Sequence, residues 1–140
     1  MGAFISAVTL LVPSYTEGID FYVRVLGFTL VEDRPLGGGK RWVLVAPEAG
    51  AATRLLLAEA ADEAQRRAIG RQAGGRVCLF LTTGDFRRDH ARMRAAGVVF
   101  LEEPRREDYG TVAVFRDPFG NRWDLIEPAD GYSAATEREL

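Results

Sequence analysis

The chain has 140 residues, 18 basic and 20 acidic side chains, a formal net charge of −2 and a single cysteine. Such a length suits one domain with a buried core, and the balanced charge excludes the basic stripe on which a nucleic-acid binder depends. One thiol excludes an internal disulfide and any multi-thiolate zinc site, and no apolar run approaches the roughly 18 residues that a membrane span needs. The opening Met1-Gly2-Ala3-Phe4 lacks the basic-then-apolar pattern of a signal peptide, so a cytoplasmic location is expected.

Val8, Leu10 and Val12 alternate with Ala7, Thr9 and Leu11, the period of a strand with two distinct faces. Ser14 and Glu17 have the spacing of a capping box, with Ser14 reaching forward and Glu17 reaching back to the first-turn amides. Ile19, Phe21, Tyr22, Val25 and Leu26 give the following helix an apolar face, and Gly27 stands where a left-handed cap ends it. Strands follow near 28–35, 41–46 and 53–59, separated by glycine- and proline-marked turns. A short connecting helix is expected between Ala60 and Ile69, then a linker, Gly70 to Gly75, with little apolar content.

The same order then returns. Val77, Leu79 and Leu81 mark a strand, Asp85 caps a helix carrying Phe86, Met93 and Ala96, and Gly97 closes it. Strands near 98–103, 111–116 and 122–127 complete the second set, and 129–140 reads as a loosely held polar tail. The copy extends to individual residues. Gly27-Phe28-Thr29-Leu30-Val31-Glu32-Asp33 is answered by Gly97-Val98-Val99-Phe100-Leu101-Glu102-Glu103, and Thr53-Arg54-Leu55 by Asn121-Arg122-Trp123. Repetition on this scale means one supersecondary unit used twice. The fold class expected is therefore α+β: tandem β-α-β-β-β modules at about 4–59 and 76–128 in one domain spanning 1–140, joined through 60–75, related by a pseudo-two-fold axis and forming a cup of curved mixed sheets.

Three stretches carry a resemblance to a known family: Ile19-Asp20-Phe21-Tyr22 through Leu26-Gly27-Phe28, the helix end Ala95-Ala96-Gly97-Val98, and Asp117-Pro118-Phe119-Gly120-Asn121-Arg122-Trp123-Asp124. With the paired modules they resemble the vicinal oxygen chelate superfamily, which includes glyoxalase I, bleomycin-resistance proteins, fosfomycin-resistance enzymes and extradiol dioxygenases. The resemblance runs from about Ile5 to Pro128. In metal-dependent members it implies a divalent ion held by a His or Gln on the first strand, a His on the fifth and a Glu on the eighth. Those positions fall here on Ala7, on Cys78 or its neighbour Val77, and on Asp124. Alanine and valine offer no lone pair, so no metal site is expected, and a divalent metal bound around Asp124 is the alternative. The only histidine, His90, belongs to the second helix, behind the sheet.

Other motifs are weaker. Leu36-Gly37-Gly38-Gly39-Lys40 lacks the spacing and the following helix of a phosphate loop and reads as a hairpin connection able to act as a lid. Cys78, flanked by Val77, Leu79 and Phe80, has no visible base that would make it a nucleophile. Arg105-Arg106-Glu107-Asp108 reads as a solvated turn of mixed charge. Asp124, with Trp123 and Leu125 turned to the helix, points into the cup beside Arg122, and a hydrogen bond between it and an arginine is expected. Trp42 and Tyr109, each beside basic or acidic neighbours at corresponding hairpins, suit a planar ligand by stacking.

The expected ligand-binding set is thus Thr9, Trp42, Cys78, Tyr109, Arg122 and Asp124, in a mainly apolar groove with a few polar groups. The function expected is small-molecule binding without the family's metal triad. The alternative is a superfamily enzyme, a lyase, dioxygenase or antibiotic-modifying type, with an atypical metal or metal-free site around Asp124. A homodimer is expected, because pairing covers exposed sheet edges.

Overall fold

The computed structural model describes residues 2–130, so most of the expected tail at 129–140 lies outside the described residues. The chain divides at Gln72 and Ala73 into two compact units.

The first unit holds β1 (Ala7–Val12), α1 (Tyr15–Ile19), a π-helical segment (Asp20–Val25), β2 (Thr29–Gly37), β3 (Lys40–Ala46), β4 (Arg54–Glu59) and α2 (Glu63–Ala68). Its sheet has the order β1-β4-β3-β2, with β1 and β4 parallel and the other pairs antiparallel. Leu10, Val12, Val43, Val45, Leu55 and Leu57 are buried and share one face. Gly18 lets α1 approach that face closely, since a Cβ there would meet Leu57 and Val12 side chains at 3.1 Å. Val8 shares the parity of Leu10 but is 42% exposed. The opposite, helix-free face carries Thr9, Leu56 and Leu44 in one cross-strand row, with Trp42 on the parity of Leu44.

Two local expectations need correction. Ser14 Oγ accepts the Glu17 N–H at 3.1 Å as expected, but the Glu17 carboxylate accepts from the Ser14 hydroxyl rather than from a backbone amide. The first helix also widens: the Leu26 N–H donates to Phe21 O, and the Phe28 N–H to Tyr22 O. That wider turn accompanies the burial of the adjacent rings of Phe21 and Tyr22, which meet edge to face with centroids 5.0 Å apart. Gly27 then takes φ +86°, as a left-handed cap requires.

β1 lies at an edge of its sheet, and a side chain occupies part of that edge. Leu11 N–H donates to Gln72 Oε1 at 2.9 Å, and Gln72 Nε2 donates to Thr9 O at 3.0 Å. One amide thus satisfies two strand groups as a neighbouring backbone would. Gln72→Ala should lower stability by about 1 kcal/mol and speed amide exchange at Leu11. Exchange at Leu11 unchanged from the parent protein would show that the bond carries no protection.

The second unit holds β5 (Val77–Thr82), α3 (Phe86–Ala95), β6 (Val99–Phe100), β7 (Arg105–Glu107), β8 (Gly110–Arg116) and β9 (Arg122–Pro128). Its sheet runs β5-β9-β8-β6, with β7 pairing β8 as well; β5 and β9 are parallel. Asp85 caps α3 by accepting the Arg88 N–H at 3.0 Å, and Phe86 and Met93 are buried while Ala96 is exposed. Trp123, Leu125, Ala113 and Phe115 fill the helix-facing side of the sheet.

The strand expected over 98–103 is interrupted. After Phe100 the Glu102 carboxylate, not a backbone carbonyl, accepts the Val114 N–H at 2.9 Å, so the ladder against β8 breaks and resumes at Arg105. Residues 105–107, expected as a solvated turn, are consequently a strand. Together the two units are the α+β arrangement of mixed sheets and few helices that the repeat implied.

Candidate functional site

The phase of β9 is set by the turn before it. Asp117 is fully buried, and its carboxylate accepts from Phe119 N–H (3.0 Å), Asn121 N–H (2.9 Å), Asn121 Nδ2 (2.8 Å) and Trp123 Nε1 (3.4 Å). This turn delivers Trp123 and Leu125 to the core at 3% and 0% exposure. Alternation then places Asp124 on the helix-free face, opposite Val114 on β8 and Phe80 on β5.

Asp124 is unusual there. Its Oδ1 is buried and has no hydrogen-bond partner, and among the described residues no ion pair reaches its carboxylate. The expected bond to Arg122 or another arginine is absent among the described residues. Arg122 is exposed, and its cross-strand neighbours are Val77 and Arg116, neither of which is an acid. Burial, opposed by the charge of Arg105 and assisted by that of Glu102, raises the Asp124 pKa above the ordinary carboxylate value.

Arg105 is already engaged. Its Nε bonds Glu102 at 2.9 Å, its Nη1 bonds Glu107 at 2.7 Å, and the Tyr109 side chain is a third partner. Burial works against the charge of Glu102, but Arg105 and the Val114 N–H together hold its pKa below the usual range. Phe80, opposite Asp124 in register, is 66% exposed. Among the described residues the second sheet therefore combines a buried carboxylate oxygen without a partner, an exposed aromatic ring, and an arginine held by two other acids.

The expected residues fall in separate places. Thr9 and Trp42 lie on the helix-free face of the first sheet, on β1 and β3 with β4 between them. On that sheet Arg34, opposite Trp42, pairs with Glu32 at 2.9 Å. In the second unit Asp124 and Arg122 share a face of β9, and Tyr109 sits on the β7–β8 turn, linked to the Asp124 neighbourhood through Arg105. Cys78 lies where the β5–β9 register shifts, and burial together with the charge of Asp117 pushes its thiol pKa up, against thiolate formation. Phe80, Glu102, Arg105 and Glu107 were not among the expected residues. The alternation that turned Leu79 and Leu81 inward also turns Phe80 outward, and Glu102-x-x-Arg105-x-Glu107 was the available sign of the ionic group.

His90 packs behind the sheet, as expected of the second helix. It stacks on Phe86 at 5.3 Å and contacts Phe100 at 4.3 Å, beside a shallow hollow of about 570 Å³ that Arg94 and Glu103 also border. Burial and the charge of Arg94 lower its pKa despite Glu103, so the neutral imidazole is favoured.

Comparison with known proteins fits this architecture. The sequence model of the Glyoxalase/Bleomycin resistance protein/Dioxygenase superfamily matches residues 4–125. The chain belongs to that superfamily. An uncharacterised protein of Shewanella frigidimarina (strain NCIMB 400) is 50% identical over 124 residues, covering 88% of this chain and 92% of that one. Among solved structures, UcmS2 matches with a TM-score of 0.78 and 32% identity over 90% of this chain and 98% of its own. TnmS3, described as an antibiotic binding protein from Streptomyces sp. CB03234, matches with a TM-score of 0.72 and 32% identity over 91% and 97% of the two chains.

The metal that the superfamily implies can be tested against the residues at its positions. Ala7 supplies no donor, the register opposite Asp124 is held by Phe80, and Cys78 sits at the irregularity with a raised pKa. Among the described residues no three His, Cys, Asp or Glu side chains are placed to share an ion. This donor set does not fit the metal.

Proposed function

We propose that this protein binds a small organic molecule directly, without an intervening metal, and that the helix-free face of the second sheet is the principal contact surface. What supports the reading is that the positions the resemblance assigns to metal ligands fall on Ala7, on Cys78 or Val77, and on Asp124, with one carboxylate oxygen unpaired among the described residues beside an exposed aromatic ring. A solved relative of this fold and 32% identity is described as antibiotic binding, which supports the same class of role. Tyr109, Arg122 and Cys78 border that face, and Trp42 and Thr9 offer the corresponding face of the first sheet for separate test. A second reading, a superfamily enzyme doing acid–base chemistry around Asp124, draws on the raised pKa of that carboxyl.

Thermal unfolding across a panel of aromatic and amphipathic metabolites, with and without EDTA, tests the proposal. A ligand at a hundredfold excess over its Kd adds about 2.7 kcal/mol, a rise of several degrees in Tm that should be the same with chelator. Asp124→Ala should shrink the rise, and Trp42→Ala reports on the first sheet. Stabilisation that disappears with EDTA and returns with one specific metal would overturn metal-free binding. Turnover of a stabilising compound, abolished in Asp124→Asn, would favour the enzyme.

A further inference from the structure

The hollow beside His90 is a feature that the faces of the second sheet do not account for. It lies at the sheet's margin, between the later half of α3 and β6, and holds about 570 Å³. His90 and Arg94 border it from the helix, and Phe100, Leu101 and Glu103 from the strand and the turn after it. The His90 imidazole forms one wall, fixed between the rings of Phe86 and Phe100 at 5.3 and 4.3 Å.

β6 is the last strand of its sheet, and the Leu101 N–H that follows it donates inward to Val114 O at 2.8 Å. Antiparallel alternation then turns the N–H and C=O of Phe100 the other way, to the free margin. Among the described residues nothing takes them up, whereas the end of α3 is satisfied: Met93 O by the Val98 N–H and Arg94 O by the Gly97 N–H. A donor and an acceptor thus stand open at the hollow, the pair that one residue of an added strand would engage.

Two charges flank that pair. Arg94 lowers and Glu103 raises the pKa of the same imidazole, so both lie near it. Both side chains are exposed, and among the described residues neither makes an ion pair, with the other or elsewhere. Glu102 competes for neither role, because Arg105 and the Val114 N–H hold its carboxylate. Arg94 belongs to the helix that leads into β6 and Glu103 to the turn just past it, so the cation stands toward the start of the strand and the anion toward its end.

We propose that this hollow binds a free dipeptide in its zwitterionic form, laid antiparallel along β6. Its carboxylate meets Arg94 and the Phe100 N–H, its peptide N–H donates to the Phe100 C=O, and its ammonium meets Glu103. Two extended residues reach about 7 Å, and the polarity of an antiparallel strand brings each terminus to the opposite charge. The second side chain of the dipeptide, directly opposite Phe100, falls on the face of the Phe100 ring and beside His90, where an apolar group gains burial.

His90 is the chain's only histidine, so its ring protons report on this hollow alone. NMR titrations of the whole protein follow them together with the amides of Phe100 and Leu101. The probes are alanyl-leucine, alanyl-leucinamide, which lacks the carboxylate, and N-acetyl-alanyl-leucine, which lacks the ammonium. In the parent protein the free dipeptide should bind about fivefold tighter than either blocked form. Arg94→Gln should erase its advantage over the amide and keep its advantage over the acetylated form, and Glu103→Gln should do the reverse. Alanyl-N-methylleucine, without the peptide N–H, should bind more weakly in all three proteins. Both substituted side chains are exposed, and a Tm for each variant equal to the parent's establishes that the fold survives.

Equal binding of free and blocked forms, an advantage over both that persists in both variants, or His90 resonances unmoved by about 10 mM dipeptide would overturn the inference. Shifts confined to β5 and β9 would also defeat it, by assigning the dipeptide to the helix-free face and so supporting the small-molecule reading there.

Discussion

Asp117→Ala should destabilise the second unit by about 3 kcal/mol or more. The Asp117 carboxylate is fully buried and accepts four donors: the backbone N–H groups of Phe119 and Asn121, Asn121 Nδ2 and Trp123 Nε1. Truncation strands those donors without water, which is more costly than the net worth of the bonds themselves. The same turn fixes where β9 begins, and a slip of one residue would exchange Asp124 for Trp123 or Leu125 on the helix-free face. Denaturant unfolding followed by Trp123 fluorescence should show the loss, together with weaker ligand binding. Asp117→Asn, which keeps the shape and one acceptor oxygen, should fall between parent and alanine. A melt for Asp117→Ala that coincides with the parent's would mean the turn holds itself without the carboxylate.

Gly110→Ala should have a comparable effect for a steric reason. Gly110 opens β8 directly opposite Pro128, with φ at +153°, a region that side chains rarely enter. A Cβ added there would lie 2.2 Å from the Glu127 carbonyl oxygen and 3.0 Å from the carbon that bears it. Both atoms belong to the backbone, so no rotamer change relieves the contact, and the end of the β8–β9 ladder must separate. We expect a loss of roughly 2–4 kcal/mol, with amide exchange rising at Thr111 and Pro128's neighbours before it rises at Leu125. Gly39→Ala is the control: its φ is +81°, but an added Cβ meets nothing within 4 Å, so its cost is confined to the backbone, about 1 kcal/mol. Equal effects at the two positions would refute the steric account.

The features legible in the sequence were those with a local period or a local cap. Gly27 and Gly97 closed their helices, Ser14 and Asp85 opened them, and alternation along Arg122-Trp123-Asp124-Leu125 placed the carboxylate on the helix-free face. What the local pattern does not carry is a side chain that replaces backbone. Glu102 takes the Val114 N–H in place of a strand carbonyl, so a seemingly continuous strand breaks and an apparent turn becomes β7. No periodicity signals such a substitution. The surroundings of Asp124 are hidden from the local pattern for a related reason. Arg122 is near in sequence, but the register gives it Val77 and Arg116, while Arg105, the arginine nearest in effect, is held by two other acids. The outward parity of Phe80 was already implied by Leu79 and Leu81, whereas the register shift beside Cys78 leaves no mark in the alternation.

The amide of Gln72 has a consequence for solubility. An unpaired strand margin is a template on which a foreign strand can add, and β1 is rich in the β-branched and aliphatic residues that favour such addition. By occupying Leu11 N–H and Thr9 O, Gln72 removes two adjacent docking points from that template and interrupts the register an incoming chain would need. A single polar side chain thereby leaves fewer strand groups open to a foreign chain, at a position that a composition scan for charged or proline residues along the strand would overlook.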